Sequence, residues 1–425
     1  MQMLANALRA YPPGLADAAA PSAVWTESAA SMASDAGLGA AVAAAIAAPK
    51  QTADTSFLTH APLELAARLK LLPMVEVAAR DRVRRRIAAI AGDYARAGAD
   101  VETAPRSFTD AAAALAFLRR AIKEGDADGA DAAMLYLIPR VSAAALGAAL
   151  AADILPMLGA AAHAPILLAD LPRLEGQIDG AGALLRAPVA MIARMADARL
   201  SWHERAQEGA FSGDAERELF NRLRAPAPVS SPSVYIAPTM LAVEAEGYAA
   251  RLLADVTAAL SVDAAARALL RNAAWSMLQD DPSSAPYGWT HALTMPLGVF
   301  GCAAFVEDKR GLIRIAATYA LGFRATMGKA PIDPAPPAKP RGRDIANVAP
   351  SAAAGAVYHA DEDRIPDIRT ALATRAGAHP DAHLAKYTLA CFEAAARDMD
   401  AARLYLAAAA YLGAWWDAHP GERFE

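Results

Sequence analysis

The sequence predicts an all-α protein, and three observations carry that expectation. The 425-residue chain is 55% hydrophobic, mainly through Ala and Leu with few aromatic or β-branched runs, a bias that favours helix almost throughout. Apolar residues recur at helical spacing from about residue 63 to the end, between turns containing Pro or Gly. No stretch of strand-like alternation is longer than about five residues.

The elements follow in order. Residues 1–54 read as a helical or irregular extension and residues 55–425 as one large multi-helix domain. The N-terminus "MQMLANALRAYPPG" has no basic region ahead of an apolar run, so no signal peptide is expected. "GLGAAVAAAIAA" (37–48) is too short and too rich in Ala to span a bilayer. "THAPLELAARLKLLP" (59–73) opens the domain, with Pro62 placed where a first helical turn tolerates proline. "RDRVRRRIAAIAGDYARAG" (80–98) puts Val83, Ile87, Ile90 and Tyr94 on one stripe and its arginines on a solvated face. "SFTDAAAALAFLRRAIKEGD" (107–126) opens at a capping residue and ends at Gly. Residues 142–168 are apolar on every side, which marks a central helix pair, and residues 290–306 repeat that character. Between them, Ser261 caps a helix with a stripe through Ala265, Leu269 and Ala273.

Two segments break the pattern. "RAPAPVSSPSVYIAP" (224–238) reads as an extended connection, and "APIDPAPPAKPRGRDIANVAP" (330–350) as a Pro-rich stretch of polyproline character. The helices on both sides are equally apolar, so both are expected as long crossovers within one domain. The second is a candidate lid or homodimer arm.

A net charge of −5 argues against a nucleic-acid partner. The two cysteines, Cys302 and Cys391, have neither zinc nor redox spacing, and a reduced, cytoplasmic setting without membrane insertion is expected. No Gly-rich dinucleotide fingerprint follows a strand, so the motifs support no bound flavin or NADPH.

Four of the eight histidines stand at helix starts in the most apolar parts of the chain: His60, His163, His291 and His383. His60 and His163 share the triplet His-Ala-Pro, and Asp381 is a natural N-cap ahead of His383. Lys386 lies three residues beyond His383, on the same helix face. The chain has seven lysines against thirty-four arginines, so a lysine amid Leu384, Tyr387, Leu389 and Phe392 is not a routine solubilising charge. A desolvated lysine can lose its proton, as arginine cannot, and its neutral amine can add carbon dioxide to become an anionic carbamate ligand. The bland alternative is that the four histidines cap helices or satisfy the core. Imidazole donors by themselves suit iron, zinc, copper or nickel. His203, His359, His379 and His419 read as surface or loop residues.

"THAPLELAARLKLLP", "HAPILLADL", "HALTMPLGVFG" and "DAHLAKYTLACFEAA" together resemble the questin oxidase-like family over about residues 55–415. That family contains anthraquinone-modifying enzymes of fungal polyketide pathways and bacterial relatives. The first motif departs from the family's frequent Asn, carrying Thr59 before the histidine. The resemblance implies a mononuclear non-haem iron centre in a helical fold, held by His60, His163, His291, His383 and a carboxylated Lys386. It implies an oxygenase that inserts dioxygen into a quinonoid or aromatic polyketide-type substrate, with Baeyer–Villiger-like ring cleavage. Lys386 and Tyr387 are then the candidate catalytic residues, and Trp289, Met295 and Tyr358 the candidate substrate-pocket residues. Two other classes stay open: a zinc or nickel hydrolase or lyase using a carboxylated lysine, and a non-catalytic helical protein that binds an apolar ligand.

Overall fold

The structure, a computed structural model, describes residues 34–420 apart from 52–55, 206–210, 231 and 234. Residues 1–33 of the expected extension therefore lie outside the described residues. Nineteen helices and no strand are found among the described residues, so the chain is all-α as expected.

In chain order the helices are α1 (Asp35–Ala45), α2 (Ser56–Leu71), α3 (Arg80–Arg96), α4 (Ala111–Glu124), α5 (Ala127–Leu137), α6 (Ala143–Ile154) and α7 (Ala164–Glu175). They continue as α8 (Arg186–Arg194), α9 (Trp202–Arg205), α10 (Ala215–Arg224), α11 (Ile236–Ala245), α12 (Tyr248–Ala258) and α13 (Val262–Gln279). The last are α14 (Thr290–Gly301), α15 (Lys309–Met327), α16 (Pro350–Tyr358), α17 (Ile365–Ala378), α18 (Ala382–Arg397) and α19 (Ala402–Ala418). None is long and apolar enough to cross a membrane.

Local chemistry explains most boundaries. The Asp110 carboxylate accepts from the Ala113 amide to start α4, and Gly125 ends it at φ 79°, a left-handed conformation that only glycine adopts without cost. Ser142 and Ser261 cap α6 and α13 through their hydroxyls. Val83, Ile87, Ile90 and Tyr94 of α3 are all buried, as their spacing predicts. α1 buries Leu38 and Val42 against α2 and α3, so the described part of the N-terminal region belongs to the core.

At the centre four helices form a ring. α2 packs on α18, α18 on α14, α14 on α7, and α7 on α2. Glycines set the closest approach: a Cβ on Gly298 would stand 2.8 Å from the Ile166 backbone, and one on Gly301 would overlap the Ala169 side chain. The Pro-rich segment 330–350 carries no helix before α16. It is sewn down by Arg224 on the Ile332 carbonyl, His359 on the Pro337 carbonyl and Asp417 on the Asn347 amide. Buried Arg324 fastens its start, pairing with Asp280 and donating to the Ala330 carbonyl.

Substituting Gly298→Ala forces α7 and α14 apart, because the atom it meets is backbone and cannot rotate away. We expect a loss of about 1–3 kcal/mol of unfolding free energy, read by denaturant titration. An unchanged midpoint would refute the close packing of these two helices.

Candidate metal centre

Each helix of the ring delivers one histidine. His163 is the N-cap residue of α7, and His291 and His383 are the second residues of α14 and α18. His60 differs from the sequence expectation. α2 begins at Ser56, so Pro62 lies inside the helix rather than at its start, where it withholds the N–H that the Leu58 carbonyl would otherwise receive.

The four rings meet in the interior, each at most 2% exposed. His60 Nε2 and His163 Nε2 are 3.1 Å apart, and so are His163 Nε2 and His291 Nε2. The His383 ring centroid is 4.6 Å from that of His60 and 5.2 Å from that of His291. The His60, His163 and His291 nitrogens form a group that can hold a metal ion. Two imidazole donors about 2.1 Å from one ion, subtending an angle between a right angle and the tetrahedral one, would stand ~3.0–3.4 Å apart, which is the spacing found.

The other ring nitrogens fix the tautomers. His163 Nδ1 lies 2.8 Å from the Ala161 carbonyl oxygen, and His291 Nδ1 faces the Tyr287 carbonyl. His383 Nδ1 lies 3.0 Å from the Asp381 carboxylate, which also caps α18 by accepting from the His383 amide. Those partners only accept, so each Nδ1 carries the proton and each Nε2 keeps its lone pair, which on His163 and His291 points inward. Two lone pairs therefore face one another between His163 and His291. A cation between them removes that repulsion, and a third and fourth imidazole converge on the same space. The donor set fits a metal.

Electrostatics point the same way. Burial holds His60 and His163 well below the ordinary imidazole value, with Lys386 adding to it. His291 is lowered by burial and then by His163 and His383. His383 is lowered by burial and Lys386, although Asp381 pulls it back. All four are thus neutral, which is the ligating form. Burial raises the Asp381 carboxyl, but His383 outweighs it and holds the group at about 2.

The surroundings hold these rings in place. Ala160, Ala161 and Ala162 have φ of 52°, 47° and 60°, a left-handed turn costing roughly 1–2 kcal/mol per residue that aims the Ala161 carbonyl at His163. Arg68, fully buried on α2, pairs with Glu64 and donates to the carbonyls of Ala376, Gly377 and His379, fixing the loop that carries Asp381. Burial raises the Glu64 carboxyl, yet Arg86 and Arg68 together bring it below its ordinary value. Arg86 is therefore not simply part of a solvated face.

A cavity of about 300 Å³ lies within the same ring of helices, lined not by the imidazoles but by residues further along each helix. Three residues beyond the histidines, Leu63, Ile166, Thr294 and Lys386 line it; seven beyond, Ala67, Asp170, Gly298 and Ala390 do. All four helices therefore run in the same sense, from the imidazoles along the cavity. Lys386, 8% exposed, stands between the two.

The other expected site residues fall elsewhere. Trp289 is fully buried, with the Arg324 guanidinium 5.6 Å from its ring. Met295 is buried in α14, and Tyr358 rests on Trp275 at 6.4 Å between centroids. None of the three lines the cavity. Tyr387 points away from it, its hydroxyl beside the Cys391 thiol and raised well above the ordinary phenol value by burial. Thr59 faces Met191 Sδ at 3.7 Å. His203 is buried, not on the surface as its charged context suggested.

Tyr287 was missed by the sequence reading. Its ring centroid is 5.3 Å from that of His291 and 5.4 Å from that of His383, and its carbonyl orients His291. Its position four residues before His291 was the available signal. Comparison with family models, curated proteins and solved structures gives no match.

Two outcomes are expected. Folded imidazoles below 6.5 stay neutral while the unfolded chain takes up protons, so stability is complete above about pH 6.5 and falls below it. Unfolding titrations of metal-free protein at pH 7 and pH 5 should show that fall, up to about 1.4 kcal/mol per pH unit for each proton; a flat profile would contradict neutral buried rings. Replacing Asp381→Asn weakens the lock on His383, so metal affinity should fall about 10–100-fold in competition with a chromophoric chelator.

Proposed function

We propose that the chain is a non-haem iron oxygenase acting on a quinonoid or aromatic substrate, with oxidative ring cleavage. One observation carries the reading: buried His163 and His291 have their Nδ1 protons committed to carbonyl acceptors and their Nε2 lone pairs facing one another at 3.1 Å, with His60 Nε2 3.1 Å from His163. The four motifs that resemble the questin oxidase-like family contain these residues and Lys386, and that resemblance selects iron among the metals imidazole accepts. Iron held there would supply redox chemistry toward dioxygen.

The chain's own residues do the rest. His60, His163, His291 and His383 would bind the ion as neutral donors. Lys386, buried at the boundary of the cavity, would complete the set as a carbamate: its neutral amine bonds to the carbon of carbon dioxide and a proton leaves, creating an anionic oxygen donor. Leu63, Ile166, Leu297 and Leu389 line the cavity and would keep water from a substrate seated beside the centre. The Tyr287 ring packs on His291 and His383 and would limit their motion. Two buried, free thiols accord with a cytoplasmic setting.

Protein purified without a metal-affinity tag should carry near one iron per chain by elemental analysis, and consume dioxygen with hydroquinone-type substrates. His163→Ala should abolish both, and Lys386→Ala should lower the iron content. Zinc or nickel instead of iron would redirect the reading to hydrolysis. No metal in any preparation would return the histidines to structural roles.

A further inference from the structure

The cavity has a chemistry of its own, which the metal ligands do not decide. Its inner walls are apolar, its floor is Lys386, and its outer rim is charged. At that rim Asp170 and Glu393 are both engaged by Lys70, and Arg173 also pairs with Glu393. Arg397, the last residue of α18, lines the same rim, is exposed, and has no ion-pair partner among the described residues. Asp170 is thus matched by Lys70 behind it and Glu393 by Arg173, which leaves Arg397 as the lining cation without a counter-charge among the described residues.

We propose that the cavity binds a compact organic anion: one or two fused rings bearing a carboxylate or an acidic hydroxyl. The rings occupy the apolar interior toward Lys386, and the negative charge stays at the rim against Arg397 and Arg173. Size sets the first limit, because about 300 Å³ is the low end for ligand pockets and suits roughly ten to fifteen non-hydrogen atoms. Charge sets the second. A neutral ligand of the same shape gains only the apolar walls, whereas an anion also meets the unpartnered guanidinium of Arg397. Orientation follows from the reading above, on which this inference rests: with Lys386 given over to the centre, the rim is where an anionic group finds a free cation. Arg397 is then a specificity-determining residue rather than a catalytic one.

Binding can be tested without turnover, using full-length protein both metal-loaded and stripped with chelator. The probes are 1-naphthoate and its neutral counterpart 1-naphthalenemethanol, titrated calorimetrically. The expected result is one naphthoate per chain, bound at least 10-fold more tightly than the alcohol, with the preference shrinking as salt is raised. Arg397→Glu, a surface change that leaves the core intact, should erase the preference without altering affinity for the alcohol. Ala390→Phe should fill the cavity and abolish binding of both. Equal affinity for the two probes, no binding of either, or an unchanged preference in Arg397→Glu would overturn the proposal. Because metal-free protein is titrated too, failure to bind is distinguishable from failure to carry iron.

Discussion

Four neutral imidazoles share one buried space, and most of the surrounding architecture answers that demand. An uncharged imidazole aims its free nitrogen reliably only if the opposite nitrogen is held by an acceptor. The chain meets the condition with two backbone carbonyls, from Ala161 and Tyr287, and one carboxylate, from Asp381. Each acceptor is itself costly to place. The first needs a left-handed run of alanines, the second a π-helical turn at Ala285–Trp289, and the third a loop whose carbonyls are gathered by Arg68. The irregular backbone is concentrated where the lone pairs must be oriented.

Bringing four helices to one place in the same sense also dictates the topology. Helices that leave the site in the same sense cannot be joined by short hairpins, so each must be followed by a return path. The helices between α2 and α7, between α7 and α14, and between α14 and α18 make those returns, and the long segments around 224–238 and 330–350 belong to them. Along the ring, successive layers change character: imidazoles first, then Leu63, Ile166, Thr294 and Lys386, then charged Lys70, Arg173 and Glu393 ten residues beyond their histidines. Arg173 and Arg397 also sit in the last turns of α7 and α18, where the helix dipole favours a cation.

Much of this was legible in the sequence, for reasons that differ by residue. Helical class followed from Ala and Leu spacing, and the caps at Ser142 and Ser261 from their hydroxyls. The four histidines stood out because each precedes or opens an apolar helix, and the structure brings all four together. Pro62 misled, since an interior proline and a first-turn proline look alike when the residues ahead of it are also helix-compatible. Trp289, Met295 and Tyr358 were chosen for nearness in sequence to the motifs. A helix turns 100° per residue, so such neighbours mostly face other directions. Tyr387, one residue past Lys386, faces the Cys391 thiol for the same reason. The charged rim was hidden because offsets of seven and ten residues mean nothing until the four helices are known to run in one sense.

That shared sense has an electrochemical consequence. α7 and α18 begin at their histidines, so the positive ends of two helix macrodipoles are directed at the imidazoles from within one turn. Their field disfavours added positive charge at the centre. A redox-active ion there would be held toward its reduced state and at a higher potential than the same imidazoles would set in water. Exogenous anions would also bind it more strongly. The carboxylate of Asp381 pushes in the opposite direction, as would Lys386 if it were carboxylated, so the potential of such an ion would follow the balance between backbone dipoles and two side chains of a single helix.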